Sequence, residues 1–212
     1  MSELNKEKEI VLIGYSGHSF EIIDIIISLG YKIKGYSEIS EKKNNPYGIK
    51  YLGDENKVNF KYLDNRYLFF IALGNNLIRN KKSDLLDLIG LEQINVIHPD
   101  SSISERIKIG YGNFISRNSS INNAVEIGNS VIINTAAVIE HECKIESVAH
   151  IGPGVVLCGG VTVKKGAFIG ANSVIKENLC IGKNVVIGAG SVVLQNISDN
   201  SLAFGNPSRI KK

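Results

Sequence analysis

A chain of 212 residues with 43% hydrophobic, 21% charged and 7% aromatic residues, 21 glycines and no tryptophan is neither disordered, collagenous nor a coiled coil. Its net charge of +3 comes from lysines scattered along the chain, which excludes nucleic acid as the partner, and its longest apolar run, Ile22–Leu29, is broken by Asp24. That run is far short of the roughly 20 residues needed to cross a membrane, so no membrane insertion is expected.

Met1–Glu9 mixes acids and bases and lacks the apolar segment of a signal peptide. The three cysteines, Cys143, Cys158 and Cys180, form no CxxC pair and fit a reducing compartment, so a cytoplasmic protein is expected. Glu9–Ile13 then has the pattern of a buried strand, followed by a Gly14-Tyr15-Ser16-Gly17-His18 turn and a helix over Phe20–Leu29 that Gly30 closes. Lys32–Tyr36 and Tyr67–Leu73 have the pattern of further strands, and Asn75–Ile89 of a second helix ending at Gly90. Strand and helix in alternation imply a small Rossmann-like parallel sheet over residues 1–97. Ser40–Asp64 is polar and rich in turn residues, and its elements cannot be placed.

From Ile97 onward both the helical and the two-residue periods fail, and a period of six replaces them. Aliphatic residues recur at Ile97, Ile103, Ile109 and on through Val193 without a gap, which makes 17 consecutive hexapeptides. The position four residues after each is small or aliphatic at most steps, as at Val125, Ala137, Cys143 and Ala149. Two inward positions in every six describe a short strand and then a bend, and such a unit buries its apolar side only by coiling and stacking. Residues 98–212 therefore form a solenoid.

Only four histidines are present, His18, His98, His141 and His150. In hexapeptide register Ile139 and Cys143 point inward, so His141 and Glu142 face outward at a bend. There the imidazole is available as a base near neutral pH, and the adjacent carboxylate fixes its tautomer. If a coil takes 18 residues, Gly159, beside Gly160, stands one layer above His141 and leaves room for a ligand. His150 lies half a coil away. A zinc site needs imidazoles converging within about 2 Å of the ion, and these two have no third partner nearby, so no metal is expected. In the first half, Gly14 and Gly17 between strand and helix suit a phosphate or sugar hydroxyl. Ser16 and Ser19 stand where a GxGxxG fingerprint needs glycines. Gly74-Asn75-Asn76 is a second turn at the same sheet edge, and the two turns mark a ligand crevice.

The hexapeptide pattern resembles the hexapeptide-repeat acyltransferases, which implies a left-handed parallel β-helix with three hexapeptides per coil, here between five and six coils. The Gly14–His18 turn, Gly74-Asn75-Asn76 with Arg79, Asn134 through His141-Glu142, His150 and the closing Gly205-Asn206-Pro207 are similar to the sugar O- and N-acetyltransferase family. That family includes the sialic acid O-acetyltransferases and the acetyltransferases of nucleotide-linked 4-amino-sugars, among them those of bacillosamine pathways. The resemblance implies His141 as general base, Glu142 as its orienting partner, and His150 and Gly159 near the acetyl thioester of acetyl-CoA. Ala171 and Ala189 would line the coenzyme groove. Ser16, Gly17, His18, Glu38, Gly74, Asn75 and Asn134 would hold the sugar nucleotide. The family often carries paired acids after the second strand, whereas Glu38 here is followed by Ile39. Homotrimers with active sites between subunits are implied as well.

Three readings of function follow. The leading one is direct transfer of acetyl from acetyl-CoA to the 4-amino group of a nucleotide-linked amino sugar, in surface polysaccharide or glycan biosynthesis. A second replaces the amine with a sugar hydroxyl. A third is a trimeric scaffold without turnover.

Overall fold

The computed structural model describes residues 7–211, so Met1–Lys6 of the Met1–Glu9 stretch and Lys212 lie outside the described residues. The chain divides after Val96 into two compact units.

The first unit is built on four parallel strands in the order β3-β2-β1-β4, with β1 at Ile10–Ile13, β2 at Ile33–Ser37, β3 at Tyr51–Gly53 and β4 at Leu68–Ile71. Every residue of β1 and β4 is buried. Continuous Ile, Val, Leu and Phe runs of this kind form parallel strands covered on both faces. Helix α1 spans Gly17–Ser28, starting ahead of the Phe20 expected from the apolar pattern. The polar Ser16 and Ser19 explain the early start, because the Ser19 hydroxyl accepts the Ser16 N–H at 2.9 Å and closes the first turn. Helix α2 spans Asn76–Leu88, and the Asn75 side chain accepts from the Ile78 N–H at 3.1 Å. β3 comes from the segment that carried no readable period. It is only three residues long and half-buried, so it has too few positions to show one. No helix among the described residues is long and apolar enough to cross a membrane.

The second unit is a left-handed parallel β-helix with 17 two-residue strands from Val96–Ile97 to Val192–Val193. Strands pair with those 18 residues away, as Val138 with Val156 and His150 with Phe168. Adjacent coils are tied by a backbone ladder in which Val138 N–H reaches Val155 O at 2.8 Å and His150 N–H reaches Ala167 O at 2.9 Å. The second residue of the strands from Ile115 through Val193 is buried, and so are Val125, Val131, Ala137, Cys143, Ala149 and Val155 four residues further on. The resulting core is aliphatic throughout. An antiparallel hairpin of Leu202–Gly205 and Ser208–Ile210 extends the eight-stranded sheet.

Each bend turns on one residue in the left-handed region, and these recur at every sixth position from Gly112 (φ 68°) to Gly190 (φ 67°). Glycine or asparagine, the residues that tolerate this conformation, occupy most of them. Ala124, Ser130, Ala136, Glu142 and Val148 do so in a consecutive run. A second set of glycines allows close approach of coils: a Cβ on Gly170 would stand 2.5 Å from Ala189 N, and one on Gly152 would stand 2.7 Å from Ile169 O.

The outward strand positions divide by face. The five-stranded sheet presents Lys108, Glu126, Lys144, Thr162 and Cys180, with Lys108 and Glu126 paired at 2.8 Å. The eight-stranded sheet presents Phe114, Ile132, His150, Phe168 and Val186, and the six-stranded sheet presents Val138, Val156, Val174 and Val192. Phe168, Val174 and Val186 are the exposed apolar residues on these strands.

The strained alanines generate a prediction. Ala124 is exposed with φ 59°, at the same bend position as Gly160 two coils on. Ala124→Gly should stabilise the protein by about 1 kcal/mol, because glycine enters the left-handed region without the Cβ penalty. The check is a thermal midpoint raised by about 2–4 °C, and an unchanged or lowered midpoint would contradict the strain argument.

Candidate functional site

His141 and Glu142 stand at the bend between the strands Val138–Ile139 and Lys144–Ile145, where the six-stranded sheet gives way to the five-stranded one. Their side chains are 62% and 71% exposed, and His141 Nδ1 lies 3.0 Å from Glu142 Oε2. The backbone of this bend is pinned from both sides, since Glu142 N–H donates to Asn123 O at 3.1 Å and Gly160 N–H donates to His141 O at 2.9 Å. The imidazole itself packs over Gly159. A Cβ built there would stand 2.6 Å from Cε1 and 2.7 Å from Nε2 of His141. Among the described residues, the Gly159 N–H donates to no protein acceptor. The neighbouring Gly160 has an ordinary bend conformation, with φ 70°. This geometry suits a general base: with the proton on Nδ1, the carboxylate accepts a hydrogen bond from it and Nε2 is left to accept a proton.

Glu140 adds charge to the same corner and is held by Asn122 Nδ2 at 2.8 Å. Cys143, two residues past the imidazole, is fully buried, and burial pushes its thiol up to about 11. It is therefore a poor nucleophile.

The other solenoid residues lie elsewhere on the perimeter. His150 opens the strand His150–Ile151 on the eight-stranded sheet and meets the Phe168 ring edge-on at 4.9 Å between centroids. Asn134, Ala171 and Ala189 stand at the corner between the eight-stranded and six-stranded sheets. There the Asn134 side chain accepts the Thr135 N–H at 2.8 Å, and Gly190 N–H donates to Ala171 O at 2.8 Å. Within one chain these groups do not converge on His141.

In the first unit Ser16 and Gly17 open α1 and are exposed, while His18 is half-buried. Burial lowers the His18 pKa, Glu21 opposes that shift and Arg79 adds to it, so the ring is neutral at pH 7. The Glu38 carboxylate accepts the Tyr15 N–H at 3.2 Å and pairs with Lys42 at 3.3 Å, which ties it to the first turn. Gly74 and the exposed Asn75 form the second turn. Gly14 joins the two turns, because a Cβ there would meet Leu73 Cδ2 at 2.5 Å. Arg79 is 1% exposed beneath them and donates to Leu73 O at 3.1 Å, Gly74 O at 3.0 Å and Asn76 Oδ1 at 2.8 Å. Its role is not readable from spacing alone, since an arginine on a helix is ordinarily a surface residue.

Comparison with known proteins places this arrangement. Residues 9–86 match the PglD N-terminal domain, and residues 142–177 and 160–195 match the bacterial transferase hexapeptide family of six repeats. The chain is similar to PerB from Caulobacter crescentus in complex with CoA and GDP-perosamine, with 30% identity over 96% of this chain and 97% of that one and a TM-score of 0.88. A histidine-to-asparagine mutant of perosamine N-acetyltransferase from the same organism, in the same complex, aligns at 29% identity over 96% and 97% with a TM-score of 0.91. The acetyltransferase domain of PglB from Neisseria gonorrhoeae FA1090, in complex with acetyl coenzyme A, aligns at 25% identity over 96% and 99% with a TM-score of 0.89. No curated protein sequence matches the chain.

The contact between Gly159 and the imidazole makes a direct prediction. Gly159 has no positive φ, so alanine fits its backbone, and only the imidazole obstructs the methyl group. Gly159→Ala should leave the melting temperature near wild type and, where His141 acts in the transfer, lower acetyl transfer about a hundredfold by displacing the imidazole. Wild-type turnover in this variant would show that the imidazole position does not matter.

Proposed function

This chain belongs to the sugar acetyltransferase family of hexapeptide-repeat proteins and is an acetyltransferase, and on that premise we propose that it acetylates the 4-amino group of a nucleotide-linked amino sugar. The observation that carries the reading is the His141 imidazole held between the Glu142 carboxylate and the bare Cα of Gly159. Similarity to enzymes solved with CoA and GDP-perosamine supports the choice of donor and acceptor class.

In this reading the neutral amine attacks the thioester carbonyl of acetyl-CoA. The new C–N bond forms as His141 Nε2 takes the amine proton, the C–S bond then breaks, and the proton passes to the departing CoA thiolate. Glu142 holds the Nδ1 proton and stabilises the imidazolium. The Gly159 N–H, which has no protein acceptor among the described residues, supports the oxyanion. No covalent enzyme intermediate enters. His150, Ala171 and Ala189 serve the coenzyme, with Asn134 beside them, and Ser16, Gly17, His18, Glu38, Gly74 and Asn75 serve the sugar nucleotide. The first unit thus binds the acceptor and the second carries out transfer. Glu140 and Glu142 flanking His141 favour an acceptor that arrives as an ammonium ion and loses one proton to solvent before it attacks, which selects the amine over a hydroxyl.

The working form in this proposal is a homotrimer acting in the cytoplasm. Its support is the division of faces, with Phe168, Val174 and Val186 exposed on two sheets and charged residues on the third. A second copy brings a separate His150 or Ala171 corner to each His141, which one chain does not do alone.

Two measurements test the proposal. His141→Ala should lose about 10²–10⁴ in turnover while acetyl-CoA binding by calorimetry stays within a few fold, as expected for removal of a general base. Assay against UDP-, dTDP-, GDP- and CMP-linked and free amino and hydroxy sugars should show acetylation of a nucleotide-linked 4-amino sugar. Preference for a sugar hydroxyl would establish the O-acetyl reading, and absence of CoA binding would establish a scaffold. Sedimentation should give a mass near three chains, and a monomer at working concentration would remove the trimer.

A further inference from the structure

The carboxyl edge of the first unit's sheet holds an unusual buried cation. Arg79 belongs to the second turn of α2, yet its side chain runs back beneath the helix start instead of outward. Its guanidinium is engaged by two consecutive main-chain carbonyls, Leu73 O and Gly74 O, and by the Asn76 side chain. Burial works against its charge and pulls the group below its ordinary value. Burying an arginine is expensive, and a neutral residue would brace a turn at lower cost.

Peptide geometry shows what the fork achieves. In a trans peptide the C=O and the following N–H point in opposite directions. Drawing the Leu73 and Gly74 carbonyls inward onto the buried guanidinium therefore turns the Gly74 and Asn75 N–H groups outward, on the side where Asn75 is exposed. Gly74 carries no side chain there, and a Cβ built on it meets nothing within 4 Å. The same positive charge reaches His18 of the first turn.

We propose that Arg79 is a positioning residue for the acceptor substrate, fixing the Leu73–Asn76 turn with its N–H groups toward the phosphate-bearing part of the sugar nucleotide. This rests on the reading given under Proposed function and adds to it a residue that touches neither the sugar nucleotide nor acetyl-CoA. The role needs both the fork, which sets the peptide planes, and the charge, which lies under the turn. Lysine keeps the charge and loses the fork. Glutamine keeps a donor and loses the charge.

The test uses the full chain. Wild type, Arg79→Lys and Arg79→Gln are compared for calorimetric binding of GDP, UDP and dTDP, for KM toward the amino-sugar nucleotide and toward acetyl-CoA, and for thermal midpoint. Both variants should weaken nucleoside diphosphate binding and raise the acceptor KM about tenfold, with the acetyl-CoA KM within about twofold and kcat at saturation unchanged. An unchanged acceptor KM in a folded variant overturns the proposal, as does a parallel loss for both substrates, which marks a structural brace. If both variants fail to fold, Asn76→Ala removes one contact to the fork and should shift the acceptor KM alone in the same direction; no shift overturns the proposal. Wild type that binds a nucleoside diphosphate but acetylates no amino sugar defeats the functional reading, and Arg79 is then judged on binding alone. Wild type that binds no nucleoside diphosphate overturns both.

Discussion

The second unit depends on one constraint: each coil must place its residues directly over those of the coil below. Two-residue strands supply too few hydrogen bonds to hold a sheet by themselves, and stacking at an 18-residue interval gives the strand N–H groups acceptors and the inward aliphatic residues partners. That interval brings Gly159 onto His141, and it carries Asn123, Glu142 and Gly160 into the ladder that pins the bend. The His141 side chain at such a corner inherits the rigidity of the coil, which is unusual for a residue so exposed to solvent.

Much of this was legible in the residues because the hexapeptide period is long and uninterrupted, so the inward positions follow by counting, and the neighbours one coil away follow once the resemblance supplies three hexapeptides per coil. Other parts lay beyond it. Which bend residues would accept a positive φ cannot be counted from hydropathy, and Ala136, Glu142 and Val148 have side chains that do not announce it. β3 is too short to carry a period and exists through its pairing with β2, where Gly35 lets the Lys50 and Leu52 segment approach. At the sheet edge, the Gly14–His18 and Gly74-Asn75-Asn76 turns stood out as connections between strand and helix. The engagement of Glu38 by Tyr15 joins turns remote in sequence, and that of Arg79 by two carbonyls depends on its side chain folding back beneath the helix start, which no periodicity announces.

The two units solve the placement of functional groups differently. In the solenoid the groups are set by register, and the cost is a strained backbone at selected bends. In the sheet unit they are set by turns whose peptide planes have free choices, and a buried polar network removes those choices. Ser37 and Glu55 hydrogen-bond at the end of β2, and Lys82 reaches Glu55 at 2.5 Å beneath the same edge. Such networks specify one geometry when all members are satisfied, and they forfeit stability when one is removed.

Glu142 brings the two themes together. It sits at φ 60°, in a column whose next two coils place Gly160 and Asn178 at the equivalent bend. Either of those residues would relieve about 1 kcal/mol of strain at position 142. A carboxylate there gains little from its exposed contact with the imidazole, since exposed charge pairs contribute only about 0–1 kcal/mol. Folding energetics alone therefore favour another residue at this bend. What the carboxylate supplies is a fixed Nδ1 partner for His141, and a strained, exposed acid beside an exposed histidine is the pattern expected where backbone strain is retained for chemistry.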